Sequence, residues 1–235
     1  ARAGTPLLLV ARRAEVLNTI AMRLRQQYQV PVQTIALDLG QPQAAQQLCA
    51  QLRQRRWTVN TLVNNAGFGV FGAFTDQPLA VVMNMLQLNI LTLTDLTHRL
   101  LPQLRQQRGR VLNVASTAAF QPGPYLAAYY ASKAYVLHFS EALAAELAGA
   151  VTVTALCPGP TATGFAQRAG RGTQQLFKRV GTAGVTHVAR AGIAGLNQGH
   201  RLVIPGWKNR LLTFLVRLLP RRTITNIIGY LSRPR

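Results

Sequence analysis

Short apolar runs alternate with longer amphipathic stretches along most of the chain. The runs are typical of buried strands, because they are short, rich in Val, Leu and Ile, and bounded by turn residues. They cover residues 7–10, 32–37, 111–115, 151–156 and 202–204, and one more ends at 63. Helix-period stretches lie between them at residues 14–28, 43–53, 79–107, 127–148 and 186–194, the last with Thr186 as its predicted N-cap.

Strands that alternate with helices predict a parallel, doubly wound sheet in a three-layer α/β/α domain. No linker or repeat divides the 235 residues. We therefore predict a single domain over residues 1–235, in which residues 207–235 form a basic amphipathic carboxyl-terminal tail.

The stretch from residue 110 to 147 contains the clearest candidate chemistry. Its predicted strand ends just before Ser116, and Tyr129 and Lys133 follow in the first turns of the next helix. Side chains four residues apart share a helix face, so the phenol and the ammonium are predicted neighbours. The positive charge is expected to lower the pKa of Tyr129, which would make the phenol a usable general acid or base. With Ser116 hydrogen-bonding the same substrate oxygen, this set favours hydride exchange between a carbonyl and an alcohol.

This stretch resembles the active site of the short-chain dehydrogenase/reductase family. The family pattern is a Ser followed thirteen residues later by Tyr-x-x-x-Lys, which Ser116, Tyr129 and Lys133 reproduce. The resemblance implies that Tyr129 donates the proton in reduction, Ser116 polarises the carbonyl and Lys133 binds the nicotinamide ribose. It also implies that Asn89, in the predicted helix 79–107, holds a water that completes the proton path. Tyr-x-x-x-Lys alone also occurs on solvated helix faces, but the Ser spacing argues against that interpretation.

The opening segment of the family has no counterpart in this sequence. A dinucleotide-binding, Rossmann-like fold opens with a strand, a Gly-rich turn and a helix whose N-terminus holds the pyrophosphate. Residues 1–4 resemble the tail of that first helix, so the first βα unit is expected to be missing, either by truncation or in the protein itself. Gly67, Gly69 and Gly72 match G-x-G-x-x-G literally. A phosphate-binding turn leads directly into a helix, but here Pro78 lies between the glycines and the next predicted helix. We therefore interpret the three residues as loop glycines.

Residues that follow the predicted strands are candidate cofactor contacts. Arg12 and Arg13 stand where an NAD-binding fold places an acidic residue, and guanidinium groups there suit the 2′-phosphate of NADP. The alternative is an ordinary basic helix start, which the helix dipole disfavours. By resemblance to the family, the cofactor contacts also include Asp38, Leu39, Asn65, Ala66, Gly67, Tyr129, Lys133, Pro158, Gly159, Thr161 and Thr163. The prediction is an NADP-dependent oxidoreductase.

Composition narrows the range of partners. The chain has 26 Lys+Arg against 6 Asp+Glu, a net charge of +20, which favours anions such as phosphates, anionic lipid or nucleic acid. No helix-turn-helix, zinc-finger or RNP signature accompanies the charge, so nucleic acid is disfavoured. Cys49 and Cys157 lie far apart, and the Cys and His positions lack metal spacing. We therefore expect no metal and a reducing, cytoplasmic location.

Aromatic and aliphatic positions give a weaker indication of the substrate. Phe68, Phe71, Phe120, Tyr125 and the Leu-rich tail favour an apolar small molecule. No uninterrupted apolar run is long enough to span a bilayer.

The tail, residues 207–235, mixes Leu and Ile with Arg and contains no acidic residue. Two interpretations stay open. It packs over the substrate pocket or forms a dimer contact, giving a homo-oligomer, or it lies on a membrane surface as a peripheral anchor. For the whole chain, the alternative to an enzyme is a catalytically impaired, membrane-peripheral or anion-binding module that keeps the fold but lacks the phosphate loop. The intact set of Ser116, Tyr129, Lys133 and Asn89 argues against that alternative.

Overall fold

The computed structural model describes residues 1–233, without the side chains of residues 179 and 180, so residues 234 and 235 of the predicted tail lie outside it. The described strands are β1 (Leu7–Ala11), β2 (Val32–Ala36), β3 (Thr61–Asn64), β4 (Arg110–Val114), β5 (Thr152–Leu156) and β6 (Leu202–Val203). The helices are α1 (Ala14–Tyr28), α2 (Ala44–Gln54), α3 (Leu79–Leu86), α4 (Leu93–Gln106), α5 (Ala127–Glu146), α6 (Phe165–Ala169), α7 (Arg171–Val180), α8 (Val185–Asn197), α9 (Trp207–Leu215) and α10 (Arg221–Ser232).

The predicted alternation of strands and helices is confirmed, with small differences at the ends. The N-cap of α8 is Gly184 rather than Thr186, because the helix begins at Val185 and places Thr186 inside its first turn. Helices α6 and α7 were not predicted from the sequence. They are short and separated only by Gly170, so neither presents a long periodic pattern.

All strand pairs are parallel, as predicted, and helices cover both faces. Residues alternate along each strand, so Val111 packs with α2, α4 and α5 on one face while Leu112 packs with α8 on the other. On β1, Leu8 and Val10 face the first group, whereas Leu7 and Leu9 face α1. The result is the predicted three-layer α/β/α arrangement.

The sheet is split into two parts at its centre. β1 pairs with β2 in one sheet, and β3, β4, β5 and β6 form a second sheet in that order. A cavity of about 1170 Å³ lies between the facing edges of β1 and β3. Leu7 to Val10 are therefore only half-buried, and Val63 is 45% exposed, although strands at the middle of an α/β sheet are normally covered on both faces. The gap has the position that the predicted missing strand would occupy.

One long helical segment, Leu79–Gln106, is apolar and long enough to cross a membrane by length and composition alone. It is composed of α3, a π-helical turn (Gln87–Thr92) and α4, and it contains Pro102. Leu96, Leu100 and Leu104 belong to the main core with β3 and β4. Because it packs along the sheet and α2, we interpret the segment as a core helix of the domain.

Buried amides join the strands to their covering helices beneath the carboxyl edge of the sheet. The Asn64 side chain donates to Asn113 Oδ1 at 2.8 Å and to Thr97 Oγ1 at 3.0 Å. Asn113, which is fully buried, donates in turn to Ser140 Oγ at 2.9 Å. The network ties β3 and β4 to α4 and α5, and each donor and acceptor it buries has a partner, as low dielectric requires.

Substituting Asn113→Ala should lower the free energy of unfolding by about 1–3 kcal/mol, since it leaves buried polar groups without a partner. Urea unfolding followed by circular dichroism measures the loss. The matched control is Asn226→Ala, an exposed position on α10, which should change stability by less than about 0.5 kcal/mol. Equal effects at the two sites would show that the network does not hold the fold.

Candidate active site

Ser116, Tyr129 and Lys133 converge just beyond the carboxyl end of β4. Ser116 caps a short 3-10 helix, Thr117–Phe120, and its Oγ accepts a hydrogen bond from the Ala118 amide at 3.1 Å. The same hydroxyl lies near enough to the Tyr129 phenol to favour its ionised form. Tyr129 and Lys133 project from the first turns of α5, and both side chains are buried. The solvated-face alternative is therefore wrong, because both groups point into the protein.

Lys133 is a buried cation with little polar contact. Its Nζ donates to the carbonyl of Val114, the last residue of β4, at 2.8 Å and lies 5.9 Å from the centre of the Tyr129 ring. Burial lowers the pKa of Lys133 from 10.5 to about 8, because the ammonium loses its hydrating water. A negative charge or a dipole brought next to Lys133 would therefore stabilise its ammonium form and raise its pKa.

The pKa of Tyr129 departs from the expectation stated above. Burial, the largest cause, raises it above its usual value of 10, and the Ser116 hydroxyl opposes this only in part. Desolvation of the phenolate outweighs the favourable effect of the Lys133 ammonium, which lies 5.9 Å from the ring centre. In this structure the phenol is held protonated, which suits a proton donor.

Asn89 lies in the π-helical turn, which rotates its side chain toward α5 and the loop after β3. Its Oδ1 accepts from the Phe68 amide at 3.2 Å, and its Nδ2 donates to the Phe68 carbonyl at 3.0 Å and to Ser132 Oγ at 3.1 Å. A Cβ added at Gly67 would lie 2.9 Å from Asn89 Oδ1 and 3.5 Å from Lys133 Nζ. Asn89 and Lys133 therefore meet at Gly67, which places the predicted proton-path residues side by side.

Most of the predicted cofactor contacts line one cavity, the gap between the two sheets. Arg12 and Arg13 lie at its edge after β1, exposed to solvent, and the other predicted residues on its wall are Asp38, Leu39, Asn65, Ala66 and Gly67. Asp38 Oδ1 accepts from the Gly40 amide at 3.0 Å, and the Leu39 carbonyl accepts from Thr92 Oγ1 at 2.8 Å. These bonds fix the turn after β2 so that its carboxylate faces the cavity.

The loop from Pro158 to Thr163 lies on the other side of Ser116. The Thr117 amide donates to the Pro158 carbonyl at 2.9 Å, so the loop abuts the 3-10 helix. Thr161 Oγ1 donates to the Gly159 carbonyl at 2.9 Å, and Thr163 Oγ accepts from the Phe165 amide at 3.2 Å. Thr163 is exposed, and none of these residues lines the gap between the sheets in the described part of the chain.

The donor set fits the two ends of a dinucleotide. Two guanidinium groups stand at the β1 end, and the Ser116, Tyr129 and Lys133 group stands at the end of β4. Gly67, Gly69 and Gly72 do not form a phosphate turn, since irregular chain and Pro78 separate them from the start of α3 at Leu79. Instead, a Cβ at Gly69 would lie 3.2 Å from the Tyr129 ring and 3.0 Å from Phe165. The interpretation of these residues as loop glycines agrees with this packing.

An aromatic wall stands beside the Tyr129 phenol. The Phe165 ring lies 5.1 Å from the Tyr129 ring and stacks on Phe177 of α7 at 6.1 Å, and Phe71 stacks on Tyr125 at 6.1 Å. Tyr125 holds a left-handed backbone conformation, with φ of 66°, which is a strained position for a residue with a side chain. Phe120 is not part of the wall, because it packs with Val136 and Leu137 in another core cluster.

Sequence reasoning missed several side chains at the site. Phe165 and Phe177 lie on the unpredicted helices α6 and α7, and Arg168 and Arg190 line the gap from α6 and α8. No sequence signal separates those two arginines from the many others. Cys157 is fully buried next to Ser116, and burial raises its thiol pKa to about 12, so it remains protonated.

Comparison with known proteins identifies the family. The family model for the short chain dehydrogenase matches residues 1–174. An 11-beta-hydroxysteroid dehydrogenase-like protein 4A of Arabidopsis thaliana is 29% identical over 228 residues, covering 96% of this chain and 76% of that protein. Sulfoacetaldehyde reductase 2 of Chromohalobacter salexigens is 37% identical over 173 residues, covering 70% of this chain and 66% of that protein.

A solved structure shows the same architecture. A short-chain dehydrogenase from Sphingobium yanoikuyae, solved in complex with NADPH, superimposes with a TM-score of 0.81 at 28% identity, over 100% of this chain and 88% of that chain. The chain belongs to the short-chain dehydrogenase family of oxidoreductases, and its fold is the Rossmann-like fold of that family.

Substituting Gly67→Ala should lower the free energy of unfolding by about 1–2 kcal/mol, because the new methyl group would displace Asn89 from its hydrogen bonds to Phe68 and Ser132. Thermal and urea unfolding measure the change. Gly164→Ala is the matched control, since its Cβ would meet nothing within 4 Å and its φ of −65° suits any residue. If both variants are equally stable, Asn89 is not held at Gly67.

Proposed function

We propose that the chain is an NADP-dependent oxidoreductase that interconverts a carbonyl and a secondary alcohol on an apolar substrate. The observation that carries the proposal is the convergence of Ser116 with the buried Tyr129 and with Lys133, one helical turn further along α5, at the carboxyl ends of the strands. Ligands of open parallel sheets bind at that edge. The family membership supports the class of reaction, and the cavity beside the group supports a dinucleotide as cofactor.

The phenol acts as the acid when a carbonyl is reduced. Bound NADPH would supply the hydride that adds to the carbonyl carbon. The raised pKa keeps Tyr129 protonated at neutral pH, so its hydroxyl donates a proton to the carbonyl oxygen, and the Ser116 hydroxyl donates a hydrogen bond to the same oxygen. The Lys133 ammonium, 5.9 Å from the ring, stabilises the phenolate left behind. Asn89, held between Phe68 and Ser132, positions the water that returns a proton to this group.

Arg12 and Arg13 support a preference for NADP over NAD. Their guanidinium groups are exposed at the carboxyl end of β1, and Arg13 is the N-cap of α1 without a side-chain hydrogen bond to the helix. Guanidinium groups bind a phosphate monoester by paired, charge-assisted hydrogen bonds, whereas they have no matching role at a ribose hydroxyl pair. The dehydrogenase of Sphingobium yanoikuyae that was solved with NADPH is consistent with this assignment.

Apolar surface supports the substrate class and a homo-oligomer. The aromatic rings of Phe71, Tyr125 and Phe165 beside Tyr129 favour a hydrophobic carbonyl compound over a small charged one. A separate apolar face on α3, the π-helical turn and α5 exposes Leu79, Val81, Met83, Leu91 and Tyr135. We assign self-association to this face and a cytoplasmic location to the protein.

Substituting Arg12→Ala together with Arg13→Ala should weaken NADPH binding by about 10- to 100-fold and leave NADH binding nearly unchanged, because each lost phosphate contact is charge-assisted. Calorimetry measures the affinities of the chain for NADPH and for NADH. Arg23→Ala, exposed on α1, is the control. A folded chain that binds neither cofactor would contradict the proposal and support the non-enzymatic, anion-binding alternative.

Substituting Tyr129→Phe should lower kcat by about 10²- to 10⁴-fold with little change in NADPH affinity, since it removes only the transferred proton. Phenanthrenequinone, an apolar aromatic diketone, serves as the probe, and turnover is followed by loss of NADPH absorbance. Tyr130→Phe is the control, because its ring packs beside Tyr129 in the same cluster. Full turnover by the Tyr129 variant would remove Tyr129 from the mechanism.

A further inference from the structure

The carboxyl-terminal helices expose an unusual amount of apolar surface. Trp207, Leu211, Phe214, Leu215 and Leu218 follow one another at helical spacing along α9 and its continuation. The exposed fractions of the apolar side chains in this region are Trp207 70%, Leu211 47%, Leu212 60%, Phe214 56%, Leu215 40%, Leu218 66%, Leu219 45%, Ile227 47% and Tyr230 74%. We call this set the tail surface. So many exposed apolar side chains on one segment of the chain mark an interaction site.

The inward side of α9 is polar, which is the reverse of an ordinary surface helix. Asn209 donates to the Pro205 carbonyl at 2.7 Å and lies against Gly159, while Thr213 is buried and donates to the Asn209 carbonyl at 2.9 Å. Both hydrogen bonds are local to α9, and the helix packs with this polar side on the Gly159 loop and on the 3-10 helix Thr117–Phe120. Its apolar side has no role in the core, so the stripe serves a partner outside the domain.

The charges on the tail surface are all of one sign. Residues 207–235 contain no Asp or Glu. The exposed cations among the described residues of this segment are Lys208, Arg210, Arg217, Arg221, Arg222 and Arg233. The salt bridges of the described residues join Arg99 to Asp95 and His138 to Glu141, so neither neutralises the tail surface. An apolar stripe flanked by unneutralised cations matches the interface of an anionic lipid membrane.

A second copy of the chain is a poorer partner for the same surface. An interface that pairs two tail surfaces would bring their cations together without a carboxylate from residues 207–235 on either side. A lipid surface can both neutralise the cations and cover the apolar side chains. Phospholipid headgroups supply negative charge, and the acyl boundary accepts Trp207, Phe214 and Tyr230. We propose that α9, α10 and the residues between them bind the surface of an anionic phospholipid membrane, with the helices lying in the interfacial plane.

The tail surface adjoins the candidate active site. α10 packs against α7, and a Cβ on Gly229 would lie 3.3 Å from Pro124 in the loop before α5. Phe177 of α7 stacks on Phe165, which packs against Tyr129. The lipid surface would therefore lie next to the aromatic wall. Delivery of an apolar substrate from the bilayer rests on the proposed function, whereas membrane binding itself does not.

Vesicle flotation tests the proposal without cofactor or substrate. The full chain is mixed with vesicles of phosphatidylcholine alone or of phosphatidylcholine with phosphatidylserine, over a range of salt concentrations. We expect binding to the anionic vesicles only, weakened by salt. The triple variant Arg217→Gln, Arg221→Gln and Arg222→Gln should bind roughly a hundredfold more weakly, at about a fivefold loss for each cation near the headgroups.

Two further variants separate the possible causes. Arg23→Gln, Arg53→Gln and Arg105→Gln, exposed on α1, α2 and α4, remove the same charge elsewhere and should leave binding nearly unchanged. Trp207→Ser, Leu212→Ser and Leu218→Ser should abolish the salt-resistant part of binding, and since all three side chains are more than half exposed, circular dichroism should show an intact fold.

Three results would overturn the proposal. The first is absence of binding to anionic vesicles by the folded chain. The second is equal loss in the tail and control charge variants, which would show general attraction through the net charge of +20. The third is a change from dimer to monomer in the apolar variant, measured by analytical ultracentrifugation, while vesicle binding stays the same, which would assign the surface to a second copy.

Discussion

The burial of Lys133 is the constraint around which the candidate site is built. An ammonium that is 6% exposed must be compensated, and here a backbone carbonyl, at the last residue of β4, accepts a hydrogen bond from it. Reaching that carbonyl fixes the position of α5 against the strand. The same placement sets the Tyr129 phenol beside Ser116, and it explains why only Gly fits at position 67, where Asn89 and Lys133 approach from two sides. A shift of α5 along the sheet would disturb all of these contacts together.

Local patterns were sufficient for much of the fold and for the central part of the site. Apolar runs and helical periods predicted most strands and helices to within a few residues, and the i, i+4 spacing predicted that Tyr129 and Lys133 share a face. Features that depend on tertiary packing could not be predicted from these local patterns. The π-helical turn around Asn89 has no sequence signature, and the hydrogen bonds of Asn89 to Phe68 and Ser132 within it are contacts between distant parts of the chain. The sign of the Tyr129 pKa shift was wrong because desolvation depends on burial, which spacing does not report.

The two parts of the divided sheet are not paired with each other, yet they share one core. The two halves are joined through their covering helices, where Leu8 and Val10 of β1 and Leu62 of β3 reach the same cluster on α2 and α4. The buried amide network then ties β3 and β4 to their helices. Within each half, neighbouring strands are hydrogen-bonded, but the facing edges of β1 and β3 are not paired with each other. Such edges are templates for a further parallel strand, which would also convert half-buried leucines into interior ones.

The contact between Asn209 and Gly159 joins the proposed membrane-binding helix α9 to the loop that is a predicted cofactor contact. Asn209 belongs to the inner side of α9, and Gly159 belongs to the loop that abuts the 3-10 helix after Ser116. The glycine has no side chain to absorb a displacement, so a movement of α9 is transmitted directly to the loop backbone. Coupling between two binding sites is reciprocal. A ligand that reorders the Gly159 loop would change the free energy with which α9 binds a membrane surface. Membrane binding by α9 would then change the affinity for that ligand by the same factor. If α9 binds a membrane as proposed, ligand binding at the loop and membrane binding by the tail surface would strengthen or weaken each other through this contact.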